Sequence, residues 1–144
     1  MSLIDTIFMS DRKKADTNLK ASENFLQANK EKPGVITLES GLQIEILKNG
    51  EGQKPYYMQN VTCHYHGTLI DGTVFDSTLK RKKPASFHVC SLIKGWREGL
   101  QMMPQGSKWR LYIPPHLAYG SQQVSHKIGP NCALIFDVEL ISVN

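Results

Sequence analysis

Aromatic side chains close to a carboxylate are the residues of this sequence best suited to forming a site. They lie on different predicted elements, and each is flanked by residues that would position it: Tyr65, Phe75, Phe87, Trp96, Tyr119 and Phe136. Taken singly, each is typical of ordinary core packing. Taken together, and with Asp76 directly after Phe75, they are also typical of an apolar concave site that carries a few polar groups.

Histidine and cysteine offer a second kind of chemistry. His64 and His66 share one face of a predicted strand, where a third ligand would complete a transition-metal site. The alternative, which we favour, is two polar residues on the outer side of a sheet. The cysteines form no C-x-x-C pair and are expected to be free, mostly buried thiols: Cys63, Cys90 and Cys132. We therefore predict neither a metal nor a cofactor.

Length, composition and motifs exclude several classes of protein. The chain has 144 residues, of which 40% are hydrophobic and 21% charged, as in one globular domain that folds without disulfides. No apolar run approaches the roughly 20 residues of a membrane-spanning helix. Motifs for a nucleophile elbow, a phosphate-binding loop, a dinucleotide fingerprint and a zinc protease are absent.

The net charge of +4 comes mainly from two short basic clusters, Arg12–Lys14 and Lys80–Lys83. We expect both to be solvated surface stretches. The alternative is a patch for nucleic acid or anionic lipid, but neither cluster has interleaved aromatic residues on which single strands would stack.

The first 34 residues differ from the rest and predict a helix over about residues 11 to 29, which Pro33-Gly34 ends. Its apolar stripe is narrow: Ala15, Leu19, Ser22, Phe25 and Leu26. Such a helix should lean on the following domain or on another subunit. The stripe is too short for a stable coiled coil, so we expect this chain alone to be monomeric.

From Val35 onward the pattern changes to the period of two that strands show. Strands are predicted around residues 42–46, 61–66, 85–89, 109–113 and 133–143, with a hairpin turn at Asp71-Gly72. One helix is predicted over Ile93–Met102 with Ser91 as its cap, and a long connection over residues 114–131 is typical of a functional loop. The fold class is α+β, an antiparallel sheet with a helix on one face.

Four strings in this order resemble the FKBP-type peptidyl-prolyl cis-trans isomerases, the immunophilins. They are VTCHYHGTLIDGTVFDS (61–77), LIKGWREGL (92–100), LAYG (117–120) and LIFDVEL (134–140). Within that family the chain is similar to the bacterial macrophage infectivity potentiator group, in MPQGS (103–107), IGPN (128–131) and the upstream helix. The resemblance implies a segment over 1–34, the end of a linker to a dimerisation domain, and an isomerase domain over 35–144.

The resemblance also implies the fold and the site. About five antiparallel strands would wrap on one short helix, preceded by the N-terminal helix. Catalytic roles would fall to Asp76 as a buried acid, Tyr119 at the rim and Tyr65 as the hydrogen-bond partner of Asp76. Trp96 would form the floor of the pocket. Substrate-binding residues would be Tyr65, Phe75, Phe87, Leu92, Ile93, Trp96, Ile128 and Phe136.

The function implied is acceleration of X-Pro isomerisation in protein folding, with proline-containing polypeptides as partners and neither nucleic acid nor a membrane span. The alternative is a chaperone module that binds proline segments with little turnover. Macrocycles of the FK506 and rapamycin type are expected ligands. Ala85, which replaces an aromatic residue of many relatives, and an atypical flap (residues 121–127) bear on peptide preference. The group implies the periplasm or cell envelope and a homodimeric full-length protein, whereas the cysteines favour the cytoplasm.

Overall fold

A computed structural model describes residues 3–144, with side chains from residue 11 onward, so residues 1 and 2 of the predicted N-terminal segment lie outside it. The helices are α1 (Leu3–Asn29), α2 (Thr78–Arg81) and α3 (Lys94–Met102). The strands are β1 (Val35–Thr37), β2 (Gln43–Lys48), β3 (Asn60–Leu69), β4 (Val74–Ser77), β5 (Ala85–His88), β6 (Lys108–Ile113) and β7 (Leu134–Val143). Single 3-10 turns cover Val89–Ser91 and Pro115–Leu117.

The strands form one antiparallel sheet in the order β1-β2-β6-β7-β3-β4, and β5 also pairs with β3. The described residues therefore contain seven strands rather than about five. The two strands beyond the five predicted ranges are β1, which pairs with β2, and β4, which pairs with residues 66–68 of β3 on the side that β5 occupies at residues 60–63. The predicted turn at Asp71-Gly72 is confirmed, with Gly72 at a φ of +91°.

Helix α3 packs on one face of the sheet at very short range. A Cβ atom on Gly95 would lie 2.6 Å from Cγ2 of Ile113, and one on Gly99 would lie 3.0 Å from Cδ1 of Leu111. Both partners lie on β6 and are fully buried. A side chain at Gly95 or Gly99 would therefore have to displace its partner on β6, and glycine avoids this at both positions.

Helix α3 begins one residue later than predicted and without the predicted cap. Ile93 is the N-cap residue, and its side chain makes no capping bond. The Ser91 hydroxyl instead donates to the His88 carbonyl, at 2.8 Å, within the preceding turn. Local hydrogen bonding of this kind competes with capping, which is why the expected cap is wrong.

Helix α1 leans on the domain that follows it, which decides between the two supports expected from its narrow stripe. The residues on the inward side recur at three and four: Ala15, Asn18, Ser22, Phe25, Leu26 and Asn29. The Phe25 ring lies 6.1 Å from that of Tyr112, and Asn29 donates to the Gln43 side chain at 2.8 Å. Leu19 of the predicted stripe is 36% exposed. Polar side chains with specific partners therefore supplement a sparse apolar stripe.

We predict that Gly95→Ala destabilises the protein. Alanine favours a helix over glycine by about 1 kcal/mol, but Cγ2 of Ile113 is the stiff branch of a strand residue and cannot move aside. Overpacking of this kind costs about 1–3 kcal/mol, so the net loss in the free energy of unfolding, measured in urea at equilibrium, should be about 1 kcal/mol and at most about 2 kcal/mol.

Gly99→Ala is the matched control, because its new methyl meets the flexible end of Leu111. It should lower the free energy of unfolding by less than Gly95→Ala does. A Gly95→Ala protein that is more stable than the parent would show that α3 does not lie this close to β6.

Candidate active site

An open pocket of about 480 Å³ lies between α3, the sheet and the loop of residues 118–133, which we call the rim loop. All ten side chains predicted for the site line it: Tyr65, Phe75, Asp76, Phe87, Leu92, Ile93, Trp96, Tyr119, Ile128 and Phe136. Ser91, Val124 and Ser125 also line it and were not predicted. Residues from β3, β4, β5, α3, the rim loop and β7 thus meet at one place.

The floor of the pocket is the indole of Trp96, which is 4% exposed. Its ring centroid lies 5.3 Å from that of Tyr65, 5.8 Å from Phe87 and 5.2 Å from Phe136, and each pair is edge-to-face. Edge-to-face pairs fix ring orientation as well as distance. The floor is therefore a rigid aromatic surface.

The wall beside β3 depends on the absence of a side chain at Gly67. A Cβ there would lie 2.8 Å from both Phe136 and Phe75, whose ring centroids are 5.3 Å apart. Any larger residue would push these rings into the pocket or apart. Sequence reasoning placed Gly67 next to Tyr65 and His66 without finding this role.

The polar side of the pocket is a chain of three groups. The Tyr65 hydroxyl donates to Oδ2 of Asp76 at 2.6 Å, and Arg81 donates to Oδ1 of Asp76 at 2.6 Å and to the Tyr65 hydroxyl at 3.2 Å. The guanidinium also lies 5.9 Å from the Tyr65 ring centroid. Charge-assisted contacts of this geometry hold the carboxylate in one orientation.

These contacts set the ionisation of both groups. Partial desolvation raises the pKa of the Asp76 carboxyl, but the hydrogen bonds from Arg81 and Tyr65 outweigh it and leave this pKa below its ordinary value. Burial and the hydrogen bond to Asp76 raise the pKa of Tyr65. At neutral pH the pair is therefore a carboxylate and a protonated phenol.

One sequence expectation needs correction here: Asp76 is not a buried acid, because its side chain is 40% exposed. The basic cluster Lys80–Lys83 is exposed, as expected. Its Arg81 also reaches back to Asp76. The only signal for this in the sequence is a cation five residues after the acid, which becomes informative only when the intervening turn is known.

That turn is α2, and Thr78 holds it in place. Tyr65 lies on β3 where the edge is interrupted between β5 and β4. The Thr78 hydroxyl supplies the missing partner, accepting from the Tyr65 N–H at 2.8 Å and donating to the Tyr65 carbonyl at 3.1 Å. The side chain of Ser77 caps the helix by accepting from Lys80 N at 3.4 Å. The break in the sheet edge thereby aims Arg81 at Asp76.

The rim loop closes one side of the pocket. Ile128 is 7% exposed and packed inward, whereas Tyr119 is 37% exposed at the rim. The predicted flap, residues 121–127, folds around the Ile128 carbonyl, which accepts from the N–H groups of Val124 and Ser125 at 3.0 and 3.3 Å. Val124 and Ser125 line the pocket as a result.

The histidines take part in side-chain hydrogen bonds. Nδ1 of His64 lies 2.8 Å from the Thr78 hydroxyl, and Nδ1 of His66 lies 2.9 Å from the Ser77 hydroxyl. Within the described part of the chain, no group of three potential ligands is placed to hold a metal ion. Burial raises the pKa of Cys63 to about 12, so this thiol is inert, while Cys90 and Cys132 are only partly buried.

Two family models match the chain. The model described as FKBP-type peptidyl-prolyl cis-trans isomerase matches residues 51–141, and that of the domain amino terminal to it matches residues 4–46. This chain belongs to the FKBP-type peptidyl-prolyl cis-trans isomerase family, as the sequence motifs indicated.

Its relatives include proteins of the macrophage infectivity potentiator group. The chain is 54% identical to the outer membrane protein MIP of Legionella longbeachae, covering 91% of this chain and 56% of that protein. It is 55% identical to the peptidyl-prolyl cis-trans isomerase Mip of Coxiella burnetii, covering 88% and 55%. The crystal structure of FkpA from Escherichia coli superposes with a TM-score of 0.91 at 38% identity, covering 94% of this chain and 63% of that chain. The chain thus spans little more than half the length of the two sequence relatives.

We predict that Arg81→Gln raises the pKa of Asp76, because the guanidinium is the strongest group opposing desolvation. A carbon-detected NMR titration of the carboxyl group would measure this. The lowered pKa of Asp76 also makes the free energy of unfolding depend on pH. The stabilisation by a carboxyl with a lowered pKa is present above about pH 4 and is lost as the pH falls through the lowered value. Arg81→Gln should reduce that acid-dependent loss.

Lys83→Gln removes the same charge from the same cluster and is the control. It should leave the pKa of Asp76 nearly unchanged, since exposed charges are screened. An equal rise in both variants would mean that the cluster as a whole, rather than contact with Arg81, lowers this pKa.

Proposed function

We propose that the chain is a peptidyl-prolyl cis-trans isomerase that acts on proline-containing polypeptides. The observation that carries the proposal is the aromatic pocket on Trp96, with one carboxylate at its edge, in a chain of this family. The rival reading, a chaperone module that binds proline segments without turnover, is separated from it by the rate measurement below.

Isomerisation makes and breaks no covalent bond, so the pocket needs no nucleophile. Rotation about an X-Pro bond is opposed by amide resonance, with a barrier of about 20 kcal/mol. Water stabilises the charge-separated planar amide. The rings of Trp96, Phe136 and Phe75 stabilise it less, while they accept the twisted amide in which resonance is lost. The pocket therefore binds the transition state better than the ground state.

The polar groups orient the substrate rather than transfer a proton. Tyr119 at the rim and the Ile93 N–H at the start of α3 are placed to hold carbonyl groups on either side of the proline ring. Asp76 supplies a fixed negative charge and keeps the Tyr65 ring in position. Leu92, Phe87 and Ile128 complete the apolar wall.

The same proposal covers the organisation of the chain. Within the segment of residues 1–34, Leu3–Asn29 form α1, and residues 35–144 form the isomerase domain; β1 and β2 support this boundary because they belong to the same sheet as the site. This chain alone acts as a monomer, and the homodimer that the resemblance implies is proposed for a full-length protein. No helix in the described part has the length and apolarity to span a membrane. The name of the Legionella relative, outer membrane protein MIP, supports a cell-envelope location.

We predict that Asp76→Leu lowers kcat/KM on a proline tetrapeptide by about ten- to a hundredfold, the worth of a hydrogen-bonded charge. Tyr119→Phe should lower kcat/KM by a factor several-fold smaller, since water can replace the exposed Tyr119 hydroxyl. The parent rate should be flat over about pH 5 to 8, because the lowered pKa of Asp76 keeps it ionised there. A protease-free assay of isomerisation measures all three.

No rate increase over buffer by the parent protein would refute the enzyme proposal and favour the binding module. Complete loss of activity in Asp76→Leu, with intact circular dichroism, or a titration of the parent rate in this range, would instead indicate a true catalytic acid.

We predict that FK506-type macrocycles bind this pocket through their pipecolyl ring, placed over Trp96. Excess ligand should raise the Tm in proportion to the logarithm of its concentration. Gly67→Ala, which places a methyl group against Phe75 and Phe136, should weaken this shift. An unchanged parent Tm would show that the small Ala85 or the flap has altered the pocket.

A further inference from the structure

Helix α1 holds the end of the rim loop through the hydroxyl of Ser22. This hydroxyl donates to the Asn131 carbonyl at 2.8 Å and accepts from the Ala133 N–H at 2.9 Å. Ser22 is 1% exposed, so water cannot replace it. A buried side chain of α1 thus satisfies two backbone groups of a loop more than a hundred residues away, and leaving them unpaired would be unfavourable.

Two further hydrogen bonds join the same surfaces. The Asn18 side chain donates to the Pro130 carbonyl at 2.8 Å, and the Asn131 side chain donates to the Ala15 carbonyl at 3.2 Å. A Cβ on Gly129 would lie 3.2 Å from the Asn18 amide nitrogen. The helix therefore lies directly against the residue that follows Ile128.

The contact at Asn131 reaches the other end of the loop. The Asn131 N–H donates to the Gly120 carbonyl at 2.7 Å and so ties the residue after Tyr119 to the residues held by α1. Asn131 also has a φ of +58°, a left-handed conformation that residues other than glycine seldom adopt. Such a conformation persists where its surroundings fix it.

A fourth contact reaches the flap. Lys14 donates to the Gln123 side-chain oxygen at 3.2 Å, and the amide nitrogen of Gln123 donates to the Ile128 carbonyl at 3.3 Å. One side chain thus joins α1 to the carbonyl around which residues 121–128 fold.

We infer that α1 is a positioning element of the active site, with Ser22 and Asn18 as positioning residues that hold Tyr119 and Ile128 over the pocket. This inference rests on the proposed isomerase function. The helix lies outside the isomerase domain, and none of its described side chains lines the pocket, so we expect it to act through the rim loop.

The effect should fall on substrate binding rather than on the chemical step. Rim residues contact the bound segment in both the planar and the twisted state, and interactions of that kind change KM and leave kcat. The hydrogen bonds of Lys14, Asn18 and Ser22 go to the rim loop, not to the floor around Trp96 or to the pair Tyr65–Asp76. A loosened loop must also be ordered when substrate binds, which weakens binding further.

The test compares Ser22→Ala with Asn29→Ala. Asn29 is also a buried polar residue of α1, but its partner is Gln43 on β2 rather than the rim loop. We expect Ser22→Ala to raise KM for a proline tetrapeptide about three- to tenfold with kcat within about twofold, and Asn29→Ala to leave both within about twofold. Amide hydrogen exchange over residues 119–133 should accelerate only in Ser22→Ala. If Ser22→Ala does not fold, Asn18→Ala decides, with the same direction and a smaller rise in KM.

Equal changes in Ser22→Ala and Asn29→Ala would overturn the inference, since helix docking alone would then be responsible. No change in either variant would also overturn it, since the rim loop would then not depend on Ser22. A fall in kcat at constant KM would also overturn it. If the parent protein has no activity, the proposed function fails, and the exchange measurement still shows separately whether α1 orders the rim loop.

Discussion

The close approach of α3 to the sheet determines the geometry of everything around the pocket. Gly95 and Gly99 have no side chains where β6 passes, so the helix axis lies near enough for Trp96 to touch rings on several strands. Its centroid distances of 5.2 to 5.8 Å to Phe136, Tyr65 and Phe87 follow from that approach. A larger residue at Gly95 would move the helix, and with it the indole of Trp96, away from the sheet. The pocket would then lose its rigid floor.

A break in the sheet edge supplies the polar side of the same site. If β4 and β5 were one continuous strand, Tyr65 would be paired by backbone and no chain would turn back toward Asp76. The break inserts α2, and Thr78 replaces the lost backbone partner so that the gap is not left unsatisfied. Because α2 ends at Arg81, this insertion places Arg81 against Asp76. The guanidinium keeps the carboxylate charged next to an otherwise apolar pocket.

Many of the elements and most of the pocket residues could be predicted from the sequence. The period of two over residues 134–140, the turn at Asp71-Gly72 and the break at Pro33-Gly34 are local signals, and their elements lie where expected. The side chains predicted for the pocket all line it, because the motifs that carry the family resemblance lie where the strands and the helix meet. The predicted cap at Ser91 failed because a neighbouring carbonyl was a better partner.

The sequence by itself determined the alternation of the strands, the turns and the order of the motifs, since each of these is recognised from neighbours along the chain. Tertiary structure decided which polar residues contact the site or hold its loop in place. The partners of Ser22 lie about 110 residues away, and Arg81 meets Asp76 only through a turn held by Thr78. Exposure of Asp76 likewise depends on the packing of separate elements. Hydrogen bonds between distant segments have no periodicity, so only the folded chain reveals them.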